Sequence, residues 1–167
     1  MKPPTVTFSV DMTRLNAAIH RFASVEGPRA AEKVTRKLGF DTIRRITMSL
    51  NGLFGLPKRI DTGRYRAAWN LALVAGTGQR AGTTAGGDAR NPQRPGDGSG
   101  RWVRGRRGAK LMLANNVEYG PDIEVGTPTM RPGRHVAAAL AEIANEAEAI
   151  AEAAVVAALK GRDDDPF

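Results

Sequence analysis

Cysteine is absent from the 167 residues, so neither disulfides nor thiolate-held metal can support the fold. His20 and His135 are the only imidazoles; they stand far apart in sequence and outside any His-Glu-x-x-His spacing, so no metal site and no cofactor are expected. No apolar run is long enough to cross a bilayer, and the opening MKPPTVTFSVDMTRL lacks the apolar stretch and cleavage signature of a secretory leader. A soluble, unprocessed chain with no membrane partner is therefore expected. A Gly-x-Ser-x-Gly elbow is missing too, and the glycines at 76, 78 and 82 are not followed by Gly-Lys-Ser/Thr. Serine hydrolase and phosphate-loop chemistry are thereby set aside.

One triplet does match a catalytic pattern. Asp61-Thr62-Gly63 has the spelling of the aspartic-protease nucleophile, a group that works by sharing one proton between two apposed carboxylates. Here Lys58 and Arg59 precede it and Arg64 and Arg66 follow. Those cations hold Asp61 ionised and oppose a shared proton, so Asp61 or Thr62 reads as a helix cap. Glu142 and Glu146, four residues apart, read as a solvated helix face. No enzyme is expected.

The charge that is present is unevenly spread. The total is +8, yet from Arg134 onward three cations face seven carboxylates, or −4, which leaves +12 on the preceding 133 residues. A basic body with an acidic end suits a nearby polyanion, or subunits that meet positive against negative.

The length fits one domain, residues 1–160, with 161–167 as an acidic tail. Residues 5–10 alternate as a half-buried strand, and a first helix is expected to about Val25. Pro28 then opens a second helix with Val34, Leu38, Ile43, Ile46 and Leu50 on one stripe, closed by Asn51-Gly52. Trp69, Leu71 and Leu73 alternate with Asn70, Ala72 and Val74 as in a strand, and LMLANNV at 111–117 suits a buried one. Val136, Leu140, Ile143, Ala147, Ile150, Ala154 and Ala158 recur at steps of three and four, so a long helix runs to about Lys160, with Gly161 as its stop. The expected class is α+β: an antiparallel sheet flanked by N-terminal helices and a long C-terminal helix.

Residues 75–109 are rich in glycine, proline and arginine and are expected as a long basic arm between two strands. Arg90, Arg94, Arg101, Arg104, Arg106, Arg107 and Lys110 concentrate there. Arginines on such an arm can follow a phosphate backbone without reading bases, or pair with acids of a neighbouring subunit.

DTGRYRAAW, then ANNVEYGPDIEVGT, then RPGRHVAAALAE leading into the last helix resemble, in order and spacing, the neck or tail-completion family of long-tailed bacteriophages, the minor tail components. In that family a Thr-Gly-x-Leu-x-x-Ser-like turn opens a strand. A Tyr-Ala-x-x-x-Glu-x-Gly-Thr segment follows a later strand, and a Pro-Phe-like motif begins the C-terminal helix. The resemblance covers about Asp61 to Leu159.

It implies a structural virion protein, assembled in the host cytoplasm, that completes the tail and joins it to the head. Its copies would form a ring, expected as a hexamer, around the DNA channel. The implied partners are a tail terminator or tail-tube protein, head-tail connector or stopper proteins, and packaged DNA through non-specific contact. Trp69, Tyr119, Glu124, Gly126 and Thr127 would form the subunit joint, with Glu124 pairing to Arg64, Arg66 or a neighbour. The other reading is a small basic nucleic-acid-binding protein acting outside a virion.

Overall fold

The computed structural model describes residues 6–9, 27–52, 55–56, 63–105 and 108–159. The expected helix before Val25, the Asp61/Thr62 cap, the stop at Gly161 and the acidic tail lie outside them.

Helix α1, Gly27–Leu50, follows from its stripe: Val34, Leu38, Ile43, Ile46 and Leu50 are all fully buried. Thr35 and Thr42 remain inside the helix by donating their hydroxyls back to the carbonyls of Ala31 and Leu38, both at 2.7 Å. The helix closes where expected. Gly52, at φ 89°, takes the left-handed turn and donates its N–H to the Ser49 carbonyl at 2.9 Å.

Helix α2, Arg64–Thr77, replaces the strand expected at Trp69–Leu73. Its residues in the main core are Tyr65, Ala68, Trp69, Ala72 and Leu73, spaced by threes and ones as a helix requires. The apparent alternation arose because Leu71 and Val74 also happen to be apolar while their positions are only half-buried. Gly78, at φ 77°, ends α2 with its N–H on the Val74 carbonyl at 2.8 Å.

The sheet has three strands in the order β1-β3-β2, all antiparallel: β1 is Val6–Ser9, β2 is Gly98–Gly105 and β3 is Gly108–Asn115. In the central strand β3, Leu111 and Leu113 turn inward against α1 and α2, while Lys110 and Met112 stay exposed. The expected extension over 75–109 is therefore corrected. Its start is the end of α2, its middle is an irregular connection over 78–97, and its last part is a strand. β2 is glycine-rich because it lies directly on α2: a Cβ on Gly98 would strike the Ala68 carbonyl, and one on Gly100 the Ala72 carbonyl.

A short helix α3, Gly120–Val125, starts with Pro121 in its first turn and stops at Gly126, φ 85°. A turn paired at Thr127 and Met130 follows, and then helix α4, His135–Leu159. Ile143, Ala151 and Ala154 of α4 pack on Ala31, Val34 and Leu38 of α1.

The main core gathers Ile43, Ile46 and Leu50 of α1 with Trp69, Leu73, Leu111, Leu113 and Val136. Trp69, expected at a subunit joint, is fully enclosed by its own chain and meets Tyr65 edge-on, with ring centroids 6.1 Å apart. Trp69→Ala is expected to lower stability by about 3–5 kcal/mol, read as a shifted denaturant midpoint at unchanged slope.

Candidate functional site

The first sequence motif, at 61–69, meets the second and third, which follow one another closely at 114–127 and 131–142, in a largely buried polar joint. Gly63, at φ 77°, precedes α2 and places Arg64 as its first residue, with the side chain pointing inward at 1% exposure. A guanidinium so enclosed must be matched donor by donor. Nε and Nη2 donate to the two oxygens of Asp97 at 2.8 and 2.7 Å, and Nη1 and Nη2 donate to the two oxygens of Glu118 at 2.9 and 3.0 Å. Nη1 also donates to Asn91 Oδ1 at 2.6 Å. Each carboxylate is held by a two-pronged fork that lysine could not reproduce.

The charges respond accordingly. Burial pushes the Asp97 carboxyl up, but hydrogen bonds from Arg64 and from the Arg94 backbone N–H outweigh it and hold Asp97 below its ordinary range. The Arg64 hydrogen bond does the same to Glu118, and bonding to Asp97 first of all raises Arg64 itself despite its burial. The clamp ties the start of α2 to the 88–97 connection and to the segment after β3. Asn115, fully buried, adds a bond from its amide to the Tyr65 carbonyl at 2.8 Å and accepts the Val117 N–H at 3.1 Å.

Glu124 does not pair with Arg64 or Arg66. It accepts the Tyr65 hydroxyl at 3.1 Å and the backbone N–H of Val136 at 3.0 Å, and so caps α4 from α3. Burial is the main cause that raises the Glu124 carboxyl, against the lowering effect of those donors, and burial likewise raises the Tyr65 phenol. Tyr119 is half-buried, with its ring 6.5 Å from that of Tyr65. Gly126 sits where a Cβ would meet the Met130 carbonyl, and Thr127 exchanges backbone hydrogen bonds with Met130 at 2.9 and 3.1 Å. Within the chain, Glu124 thus links α2 to the first turn of α4. Glu124→Ala is expected to cost about 1 kcal/mol through the lost cap, and Glu124→Gln less, since its amide oxygen still accepts; thermal unfolding of the two variants checks this.

The arginines expected on one arm are distributed by the fold. On β2 and β3 the register sets Arg101 opposite Met112 and Val103 opposite Lys110, which puts Arg101 and Lys110 on the face away from Leu111 and Leu113. Arg104 points the other way and meets Glu32 of α1 at 2.9 Å. Arg94 reaches Glu118 at 3.3 Å, and Arg90 is exposed in the connection. Arg106 and Arg107 lie outside the described residues.

A second cationic group went unnoticed in the sequence. Arg29, Lys33, Arg36 and Lys37 of α1, with Arg80 just beyond α2, line a cleft of about 640 Å³ that also contains Phe40. Among the described residues Glu32 is the one acid lining it, and it is already engaged by Arg36 and Arg104, each at 2.9 Å. The Arg36 guanidinium lies 5.4 Å from the centroid of the Trp102 ring, a cation–π contact that joins α1 to β2. The helical spacing of the four α1 cations was visible in the sequence; Arg80 and Trp102 join them only through the fold.

Glu142 and Glu146 lie on the solvated side of α4, 38% and 50% exposed, and there clasp Arg45 of α1 at 3.0 and 2.6 Å. His135 is fully buried and its Nδ1 lies 3.1 Å from the Ser49 hydroxyl. Among the described residues no group of three or more His, Asp or Glu side chains is arranged to hold a metal ion, and no helix is long and apolar enough to cross a membrane.

Fold and site define an α+β protein with a three-stranded antiparallel sheet packed on helices, a buried arginine clamp and an open basic cleft. Comparison with protein-family models, curated proteins and solved structures gave no match.

Proposed function

We propose that this chain is a non-enzymatic structural protein of a bacteriophage neck, which completes the tail and joins it to the head connector as one subunit of a ring around the DNA channel. The supporting observation is the convergence of the three motifs behind the phage resemblance. Arg64 and Tyr65 from the first, Glu118 and Glu124 from the second, and Val136 from the third meet in one hydrogen-bonded joint. Such a joint fixes the angles between α2, α3 and α4, and fixed angles are what a closed ring demands of its subunits. A hexamer, contacts with tail-terminator or tail-tube and stopper proteins, a place in the virion after assembly in the host cytoplasm, and loose contact with passing DNA belong to the same proposal.

Negative-stain imaging of the purified protein, alone and mixed with tails that lack their neck, tests it. Rings, and density added at the head-proximal end of the tail, are expected; particles that remain monomeric and leave tails unchanged refute it. The exposed Arg29, Lys33 and Arg80 favour a second reading, a free-standing nucleic-acid-binding protein. Salt-dependent DNA retention by a stable monomer is the result that selects it.

A further inference from the structure

Charge within the helix pair α1–α4 is segregated. Arg29, Lys33, Arg36 and Phe40 follow one another at steps of four, three and four along α1 and face the cleft, while Ala31, Val34 and Leu38, about half a turn round the helix, face α4. On α4 the residues that meet α1 are Ile143, Ala151 and Ala154. Glu148 and Glu152 lie about a third of a turn round the helix from the middle of that face, exposed, beside exposed Ala149, Ala153 and Val156. The cleft and the acidic stripe thus sit on opposite flanks of the same pair, and at the same level along it, since Ala31 and Val34 cluster with Ala151 and Ala154.

Arg36 and Lys37 of the cleft are engaged by Glu32 and Asp41, but its other cations and the acidic stripe are not. Arg29, Lys33 and Arg80 form no ion pair with described residues, nor do Glu148 and Glu152, whereas Arg45 of α1 and Glu142 and Glu146 of α4 neutralise one another between the helices. A subunit's own Glu148 and Glu152 face away from its own cleft, with α4 and α1 between. A second copy placed alongside can offer them.

We infer that the cleft formed by Arg29, Lys33 and Arg80 receives the Glu148–Glu152 face of α4 from the next copy of this chain. This rests on the ring reading above and gives that ring its contact. The match is one of spacing as well as sign. Glu148 and Glu152 are one helical step of four apart, about 6 Å of rise, as are Arg29 and Lys33. Ala149 and Ala153 let the helix approach closely, and Val156, 47% exposed, supplies an apolar side chain for the half-buried Phe40. Because donor and acceptor surfaces differ and lie on opposite flanks, the contact is head to tail, the kind that closes by rotation.

Charge reversal tests the pairing, with assembly read by mass photometry over a concentration series. R29E/K33E and E148K/E152K are each expected to raise the concentration at half-assembly by at least about tenfold, since like charges then face one another. The quadruple variant R29E/K33E/E148K/E152K, with both signs exchanged, is expected to regain wild-type assembly. If both double variants assemble like wild type, this contact is refuted and the ring closes through another surface. If R29E/K33E assembles normally but loses salt-sensitive retention on duplex DNA, the cleft is a nucleic-acid surface and the inference is overturned. A wild-type protein that is monomeric at every concentration overturns the ring reading itself.

Discussion

Replacing Arg64 with methionine is expected to destabilise the protein by about 3–5 kcal/mol, because it leaves a buried carboxylate without its cation. The cost falls on Asp97, whose side chain is 4% exposed, rather than on Glu118, which at 41% can turn to water. Lysine is expected to recover only part of the loss, since one ammonium cannot form two forks to two carboxylates.

The pH dependence gives the same variant an independent signature. Asp97 and Glu118 are held below the ordinary carboxylate range in the folded protein, so the stability they contribute is present above the unfolded values and disappears as pH falls through the folded ones. Wild type should therefore lose its advantage over R64M below about pH 4. In R64M the buried Asp97 prefers its neutral form, so acidification relieves the variant. Glu124 acts in the opposite sense, being raised by burial, but it is present in both proteins and cancels in the difference. Urea midpoints of wild type, R64M and R64K from pH 3 to 7 check these expectations.

Gly100→Val is expected to be comparably damaging, at about 3 kcal/mol or more, for a reason of space rather than charge. The new side chain would be driven into the Ala72 carbonyl and the backbone at Gly76, neither of which can yield without moving α2 off the sheet. Ser99→Val, one residue earlier and on the exposed side of the strand, should change stability by less than about 1 kcal/mol. Chemical denaturation of the pair separates close approach from a general intolerance of β2 to substitution: equal losses at 99 and 100 would refute the packing explanation.

How much of this was legible in the sequence depended on whether the signal was local. The α1 stripe from Val34 to Leu50 and the α4 stripe from Val136 are long enough to identify a helix without tertiary help, and the stop at Gly52 was readable from one dipeptide. Trp69–Val74 misled because six residues rich in apolar side chains fit both a strand and a buried helix; Tyr65 and Ala68, just upstream, carried the deciding period. β2 was hidden for a different reason. Its glycines look like linker composition until α2 lies against them, and then they are the residues that allow the contact.

The polar joint was less legible still. Arg64 meets partners 27, 33 and 54 residues away, and Asp97, set between glycines, carries no local mark of its importance. The resemblance singled out Glu124 for a subunit joint, whereas its partners within the chain, the Tyr65 hydroxyl and the first turn of α4, came from the fold. The basic arm was judged by composition, whereas strand alternation separates Arg101 from Arg104, and a further open cationic cleft lies on α1.

Native mass spectrometry of the wild-type protein over a range of concentrations tests the proposed ring-forming neck subunit. One closed oligomer of fixed copy number, a hexamer, growing in at the expense of monomer is the predicted result. A spectrum of monomer alone at every concentration, unchanged when tail and connector proteins are added, would contradict it.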